Sequence, residues 1–225
     1  MRYLYGLSII GLVLLAGCKD PEPEVPVPEP PPPKTANEMH SEYKAALNPL
    51  LAGAGQIDAI GPGMKEPIIS AFRNARSQFS AEINEPEAVG RIETDVTNAI
   101  TLAQTNEQWF ALDGLLDVHQ MLNPNSQRYQ SVRRRTDLMM ARPWVYVTGF
   151  AEIDPGDLVV FVTVVDPLTQ AREDLRVREG EEFYPDAEGK SILRLVRVIG
   201  AQSGVELEYL RLPGETWQEP GPKNR

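Results

Sequence analysis

The chain has 225 residues, 42% of them apolar, and a formal net charge of −10. That size and apolar share allow one large domain or two small ones with real cores. The acidic balance argues against a nucleic-acid surface, since phosphate binding needs clustered Lys and Arg, and the single cysteine, Cys18, excludes an internal disulfide.

Arg2 precedes an apolar run that starts at Leu4, is too short to span a bilayer with room to spare, and ends in Leu15-Ala16-Gly17-Cys18. A basic start, an apolar core and small residues before a cleavage point make a secretory signal peptide, residues 1–17. A cysteine directly after the small residues, followed by Lys19-Asp20, resembles the lipobox of bacterial lipoproteins. The resemblance implies that Cys18 is acylated and becomes the mature N-terminus. At about 0.8 kcal/mol per buried CH2, several acyl chains would hold the protein firmly to a membrane. A plain signal peptide and an uncleaved anchor helix are the alternatives. The expected location is the cell envelope, lipid-anchored and facing the periplasm. Lys19 directly after the cysteine, with Asp20 one step later, leaves the choice between inner and outer membrane open.

Residues 18–37 form the expected linker. Pro21, Pro23, Pro26, Pro28 and Pro30 to Pro33 alternate with Glu22, Glu24 and Glu29, a composition that favours an extended polyproline II helix. Such a spacer reaches roughly 40–60 Å. A recognition motif for an aromatic groove is the other reading.

Residues 38–142 read as a helical domain. Glu38 to Leu51 is polar but helix-prone, and the glycines from Gly53 to Gly63 make a loop. Ile68, Phe72, Ala75, Phe79 and Ile83 form one apolar stripe of a helix over about Met64–Ile83. Asn84, with Glu87 three residues on, is expected to cap the next helix, which aligns Val89, Ile92, Val96, Ile100 and Ala103. Thr105 and Gln108 read as a capping box for the helix from Trp109 to Leu122. Its apolar side is broad, so it should be the central helix. Asn123-Pro124-Asn125-Ser126 breaks it and caps a last helix, Gln127 to about Ala141, which Arg142-Pro143 ends.

From Trp144 the pattern changes to β. Trp144–Ile153 is rich in β-branched and aromatic residues. Asp154-Pro155-Gly156-Asp157 is a turn. Leu158–Val165 is continuously apolar and is expected to be a central strand buried on both faces. Leu175–Arg178, Ile192–Ile199 and Val205–Tyr209 complete five expected strands over residues 143–213, with a disordered tail at 214–225. The fold class is therefore α+β, an N-terminal helical bundle followed by a small antiparallel β-barrel or sandwich.

Two resemblances follow from these residues. The helical hairpin of Val89–Ala103 and Trp109–Leu122, with Pro124 just past it, is similar to one tetratricopeptide unit. Val177-Arg178-Glu179-Gly180-Glu181-Glu182-Phe183, then Leu193–Val198 and Val205–Tyr209, is similar to the small periplasmic β-domain of type IV pilus assembly lipoproteins and type II secretion clamp proteins. The second resemblance implies a place in a secretion or pilus assembly complex.

No catalytic or metal-binding motif stands in the sequence, so neither an enzyme nor a cofactor is expected. His40 is expected to be exposed and His119 to be structural. The candidate partner-binding residues are Arg128, Arg133, Arg134 and Arg135 on the last helix, with Glu181 and Glu182 in an acidic loop. The arginines could face an acidic partner, this protein's own β-domain, or solvent. The functional expectation is a protein-binding scaffold or assembly factor of the cell envelope, with protein partners, membrane lipid through Cys18, and no nucleic acid. The alternative is a lipoprotein that binds a solute in a pocket between the domains.

Overall fold

The computed structural model describes residues 32–222 apart from 57, 58, 155, 201 and 202. The signal segment, Cys18 and the proline-rich stretch up to residue 31 lie outside the described residues. The chain divides into two units, Met1–Pro33 and Lys34–Arg225, and every helix and strand below belongs to the second.

Five helices come first: α1 (Ala36–Gly53), α2 (Lys65–Phe79), α3 (Glu85–Thr105), α4 (Trp109–Leu122) and α5 (Gln130–Met140). A capping box starts α1. The Glu38 N–H donates to Thr35 Oγ1, and the Thr35 N–H donates back to Glu38 Oε2 at 2.8 Å. Met39, Tyr43, Leu47 and Leu50 repeat at helical spacing and are fully buried. As the breadth of its apolar side predicts, α4 is central. It packs against the other four helices, and even Asp113, Gly114 and His119 on it are buried. Gly114 lies where a Cβ would press on the end of the Leu50 side chain, so the absent side chain lets α1 and α4 approach closely.

The helix ends differ from expectation. Asn84 makes no capping bond to α3; its amide instead donates to the Lys34 carbonyl at 2.9 Å. Thr105 is the last residue of α3, its hydroxyl donating to the Thr101 carbonyl, and Gln108 makes no side-chain cap. The short connection is closed by Glu107, a non-glycine residue at φ 55°. At Phe79 α2 stops, and Ile83 points to solvent at 82% exposure.

Seven strands follow: β1 (Trp144–Asp154), β2 (Asp157–Val165), β3 (Arg172–Arg178), β4 (Glu182–Pro185), β5 (Ser191–Gly200), β6 (Gly204–Tyr209) and β7 (Thr216–Glu219). They form two antiparallel sheets of order β1-β2-β3 and β4-β5-β6-β7, and no closed barrel is present among the described residues. The inner faces of the two sheets share one apolar cluster, with Val160, Val162, Leu193, Leu195, Leu207 and Tyr209 at its centre. The extra strands are short. Glu182–Pro185 follows a tight turn, and Thr216–Glu219 pairs with β6 inside the segment expected to be a disordered tail. Central position suits β2, and its burial on both faces holds only in part. Val160, Val162 and Val164 face the cluster; on the other face Val159 and Val165 are buried, while Phe161 and Thr163 between them are half-exposed.

The helical and β regions pack together within one compact unit. Leu138 of α5 joins the β cluster. Arg135 bonds Glu215 at 2.8 Å, and the Arg142 guanidinium lies 4.4 Å from the centre of the Trp217 ring.

Candidate functional site

Three consecutive residues on a helix point about 100° apart, so Arg133, Arg134 and Arg135 cannot form one basic patch. Arg133 turns into the helical region and bonds Asp113 and Asp117 of α4. Lys65 at the start of α2 meets the same two carboxylates at 2.7 and 2.8 Å. Burial works against the Lys65 charge, but the hydrogen bonds to Asp113 and Asp117 outweigh it and hold the ammonium above its ordinary value. This four-charge network clamps α2, α4 and α5. Arg135 turns the other way, to Glu215, so its partner is this chain's own β region. Arg128 lies over the Tyr129 ring.

The expected acidic loop is also spent internally. Glu181 accepts the Arg178 N–H at 2.8 Å, Glu182 pairs with Arg194 at 2.6 Å, and Glu179 accepts the Val198 N–H at 3.0 Å. These carboxylates hold turns and a cross-strand pair, and do not make a free patch. Of the expected partner-binding residues, Arg128, Arg134 and Glu181 have no ion pair among the described residues, and Arg134 is exposed without a ring contact or hydrogen bond as well. It lines a cleft of about 710 Å3 between α5 and the β4–β5 loop, together with Asp137, Asp186, Lys190 and Arg211. Asp186 is already paired with Arg211 at 2.9 Å, and that hydrogen bond holds its carboxyl below the usual value.

His40 is half-buried, with Nε2 3.0 Å from Asp95 Oδ2, which corrects the expected exposure. His119 is buried edge-on to Tyr129, and burial pushes it below its ordinary value. Among the described residues no three His, Cys, Asp or Glu side chains converge as metal ligands, and no helix is long and apolar enough to cross a membrane.

The open surface lies on the first sheet. Among the described residues only β2 pairs with β3, so its other edge, like the outer edges of β1, β4 and β7, carries no strand. Arg178 directs both backbone groups away from β2, its N–H to the Glu181 carboxylate and its C=O to the Glu181 N–H. At the other end, the Ala171 carbonyl faces back to the Asp166 N–H. Backbone groups alternate direction along an antiparallel strand, so Arg172, Asp174 and Arg176 present their N–H and C=O groups at the open edge. The register with β2 places their side chains beside Val165, Thr163 and Phe161, on the sheet face away from the core. That face also carries Trp144 and Tyr146, 37% and 36% exposed. A shallow depression of about 560 Å3 runs across it from Thr148 to Arg176.

The sequence reading missed this edge because it began the strand at Leu175. The alternation in Arg172-Glu173-Asp174-Leu175-Arg176-Val177-Arg178 was its available signal. Comparison with known proteins finds no matching family model, no matching curated protein and no matching solved structure.

Proposed function

We propose that this protein is a lipid-anchored scaffold or assembly factor of the cell envelope, held to a membrane through Cys18 and facing the periplasm, in a secretion or pilus assembly complex. The observation that carries the reading is the β3 edge, a seven-residue strand with an unpaired side and an exposed sheet face beside it. An unoccupied edge is a template for a partner strand. The helical region complements it, since the apolar stripes of its helices meet in one buried cluster and Lys65, Arg133, Asp113 and Asp117 are paired within it. The lipobox and the proline-rich spacer supply the anchor and the height.

The test is a photo-crosslinking residue in place of Asp174 in the full-length, lipidated protein in native membranes. The expected result is capture of envelope assembly components; bystander lipids and abundant proteins alone would remove the reading. Cys18→Ser should move the protein from the membrane to the soluble fraction, as fractionation would show.

The solute-binding alternative has one observation in its favour, the charged cleft between α5 and the β4–β5 loop. Arg134 and Lys190 beside Asp137 and Glu188 suit a small zwitterion. Ligand-dependent shifts in melting temperature, abolished by Arg134→Ala, would favour it.

A further inference from the structure

The charges along β3 specify the strand that it accepts. This inference rests on the scaffold reading and concerns the partner's chemistry at the same edge. A strand laid beside β3 shares its pleat, so each residue faces its neighbour across the pair on the same side of the sheet. On the outer face the added residues meet Arg172, Asp174 and Arg176. On the inner face they meet Glu173, Leu175 and Val177, of which Leu175 and Val177 belong to the apolar cluster or its rim.

Neither Arg172 nor Arg176 has an ion pair among the described residues, whereas Arg178 is committed to Asp157 at 3.0 Å. Asp174 is bound by the Thr163 hydroxyl at 2.6 Å. The outer face of the edge thus offers two free cations four residues apart with an anion between them, while Glu173 stands on the inner face. Arg172 and Arg176 give the outer face alone a positive balance on a chain of net charge −10, which favours carboxylates opposite those two positions.

The same pattern argues against a second copy of this chain. The antiparallel register that uses all three open residues is centred on Asp174. It sets Arg172 opposite Arg176 of the other copy and Asp174 opposite Asp174. Like charges directly opposite one another destabilise a strand pair.

We infer that β3 binds an extended segment of a partner protein in which carboxylates stand opposite Arg172 and Arg176, a basic or polar residue opposite Asp174, and apolar residues opposite Leu175 and Val177. The charge order acid–base–acid is the same in either strand direction, so the edge reads the pattern whichever way the partner runs. Backbone pairing supplies the docking, and the charges set the register. A one-residue slip would turn the apolar residues outward and the carboxylates toward the apolar cluster.

The probe is a labelled synthetic peptide, Val-Glu-Val-Lys-Thr-Glu, titrated by fluorescence anisotropy against the full-length lipidated protein in nanodiscs. The control is its charge-reversed form, Val-Lys-Val-Glu-Thr-Lys. The expected result is saturable binding of the first, with the second about tenfold weaker. Arg172→Glu with Arg176→Glu should invert that preference. Both positions are exposed, and circular dichroism checks that the variant is folded. A second variant, Arg172→Gln with Arg176→Gln, should bind the two peptides alike.

Equal affinity of the wild-type protein for both peptides, no saturable binding, or a preference that ignores the arginine substitutions would overturn the inference. A partner captured through position 174 in membranes, with no charge preference in the titration, would keep the scaffold and remove this specificity. A charge preference without any captured partner would do the reverse.

Discussion

The helical and β regions use charge in opposite ways. In the helical region the strongest ionic groups turn inward: Lys65, Arg133, Asp113 and Asp117 satisfy one another against a fully packed α4. In the β region cross-strand ion pairs hold both sheets, as with Arg194 between Glu182 and Glu208 in the second and Arg178 with Asp157 in the first, while Arg172 and Arg176 on the β3 edge have no ion pair among the described residues. A region whose surfaces are closed holds its shape, and a region with an unoccupied edge has something to offer a partner. The two regions join through Leu138, Arg135 and Arg142.

The largest expected effect tests that joint. Leu115→Ala in α4 and Leu195→Ala in β5 each delete a fully buried side chain and should lower stability by about 3 kcal/mol. If the regions brace one another, denaturant midpoints from far-ultraviolet circular dichroism and from tryptophan fluorescence coincide in both variants. Two separate midpoints would break the comparison into independent domains.

Removing the inward-turned charge comes next. Asp113→Ala leaves Lys65 and Arg133 short of a buried carboxylate and should cost about 3 kcal/mol. The pH dependence sharpens the test. The folded protein holds Lys65 above its ordinary value, so its contribution is full below the unfolded value and is lost as pH rises through the folded one. The alkaline loss of stability should therefore shrink in the Asp113 variant, which urea titrations at pH 8 to 11 would measure. An unchanged alkaline slope would mean that the network does not hold the ammonium.

In the β region, Gly204 at the start of β6 has φ +99°, and an added Cβ would run into the Glu219 carbonyl and meet Pro220 Cα at 2.8 Å. Gly204→Ala should cost about 2–3 kcal/mol and release β7, exposing its amides to hydrogen exchange. Protection of Trp217 and Gln218 equal to wild type would show that β7 docks without this close approach. A smaller effect is expected at the joint. A double-mutant cycle of Arg142→Ala and Trp217→Ala should give a coupling of about 1 kcal/mol, and zero coupling would leave the contact as mere proximity. The smallest effect has the opposite sign. Among the described residues the buried Tyr43 hydroxyl has no hydrogen-bond partner, so Tyr43→Phe should raise stability by up to about 1 kcal/mol. A loss would mean that the hydroxyl has found a partner.

The sequence was most legible where the signal is local. Ile92, Val96 and Ile100 declared the buried face of α3, and Trp144 marked the change to β. Caps were less legible. Asn84 has the right chemistry and position for a cap, yet the Lys34 carbonyl, fifty positions away, takes its amide. The candidate site was the least legible. Arg133 and Arg135 read as one basic sector, but consecutive helical residues diverge, and the structure gave each a partner from a distant segment, Asp113 and Glu215.

By itself the sequence determined the α+β order, the identity of the central helix and the central position of Leu158–Val165, because hydrophobic periodicity is a property of neighbouring residues. Tertiary structure alone decided which charges are consumed, that the strands part into two sheets instead of closing, that residues 216–219 become a strand, and that β3 keeps a free edge. Those outcomes depend on which groups meet across long stretches of chain. A charged side chain carries no local mark of its partner, and a strand carries none of the neighbour it lacks.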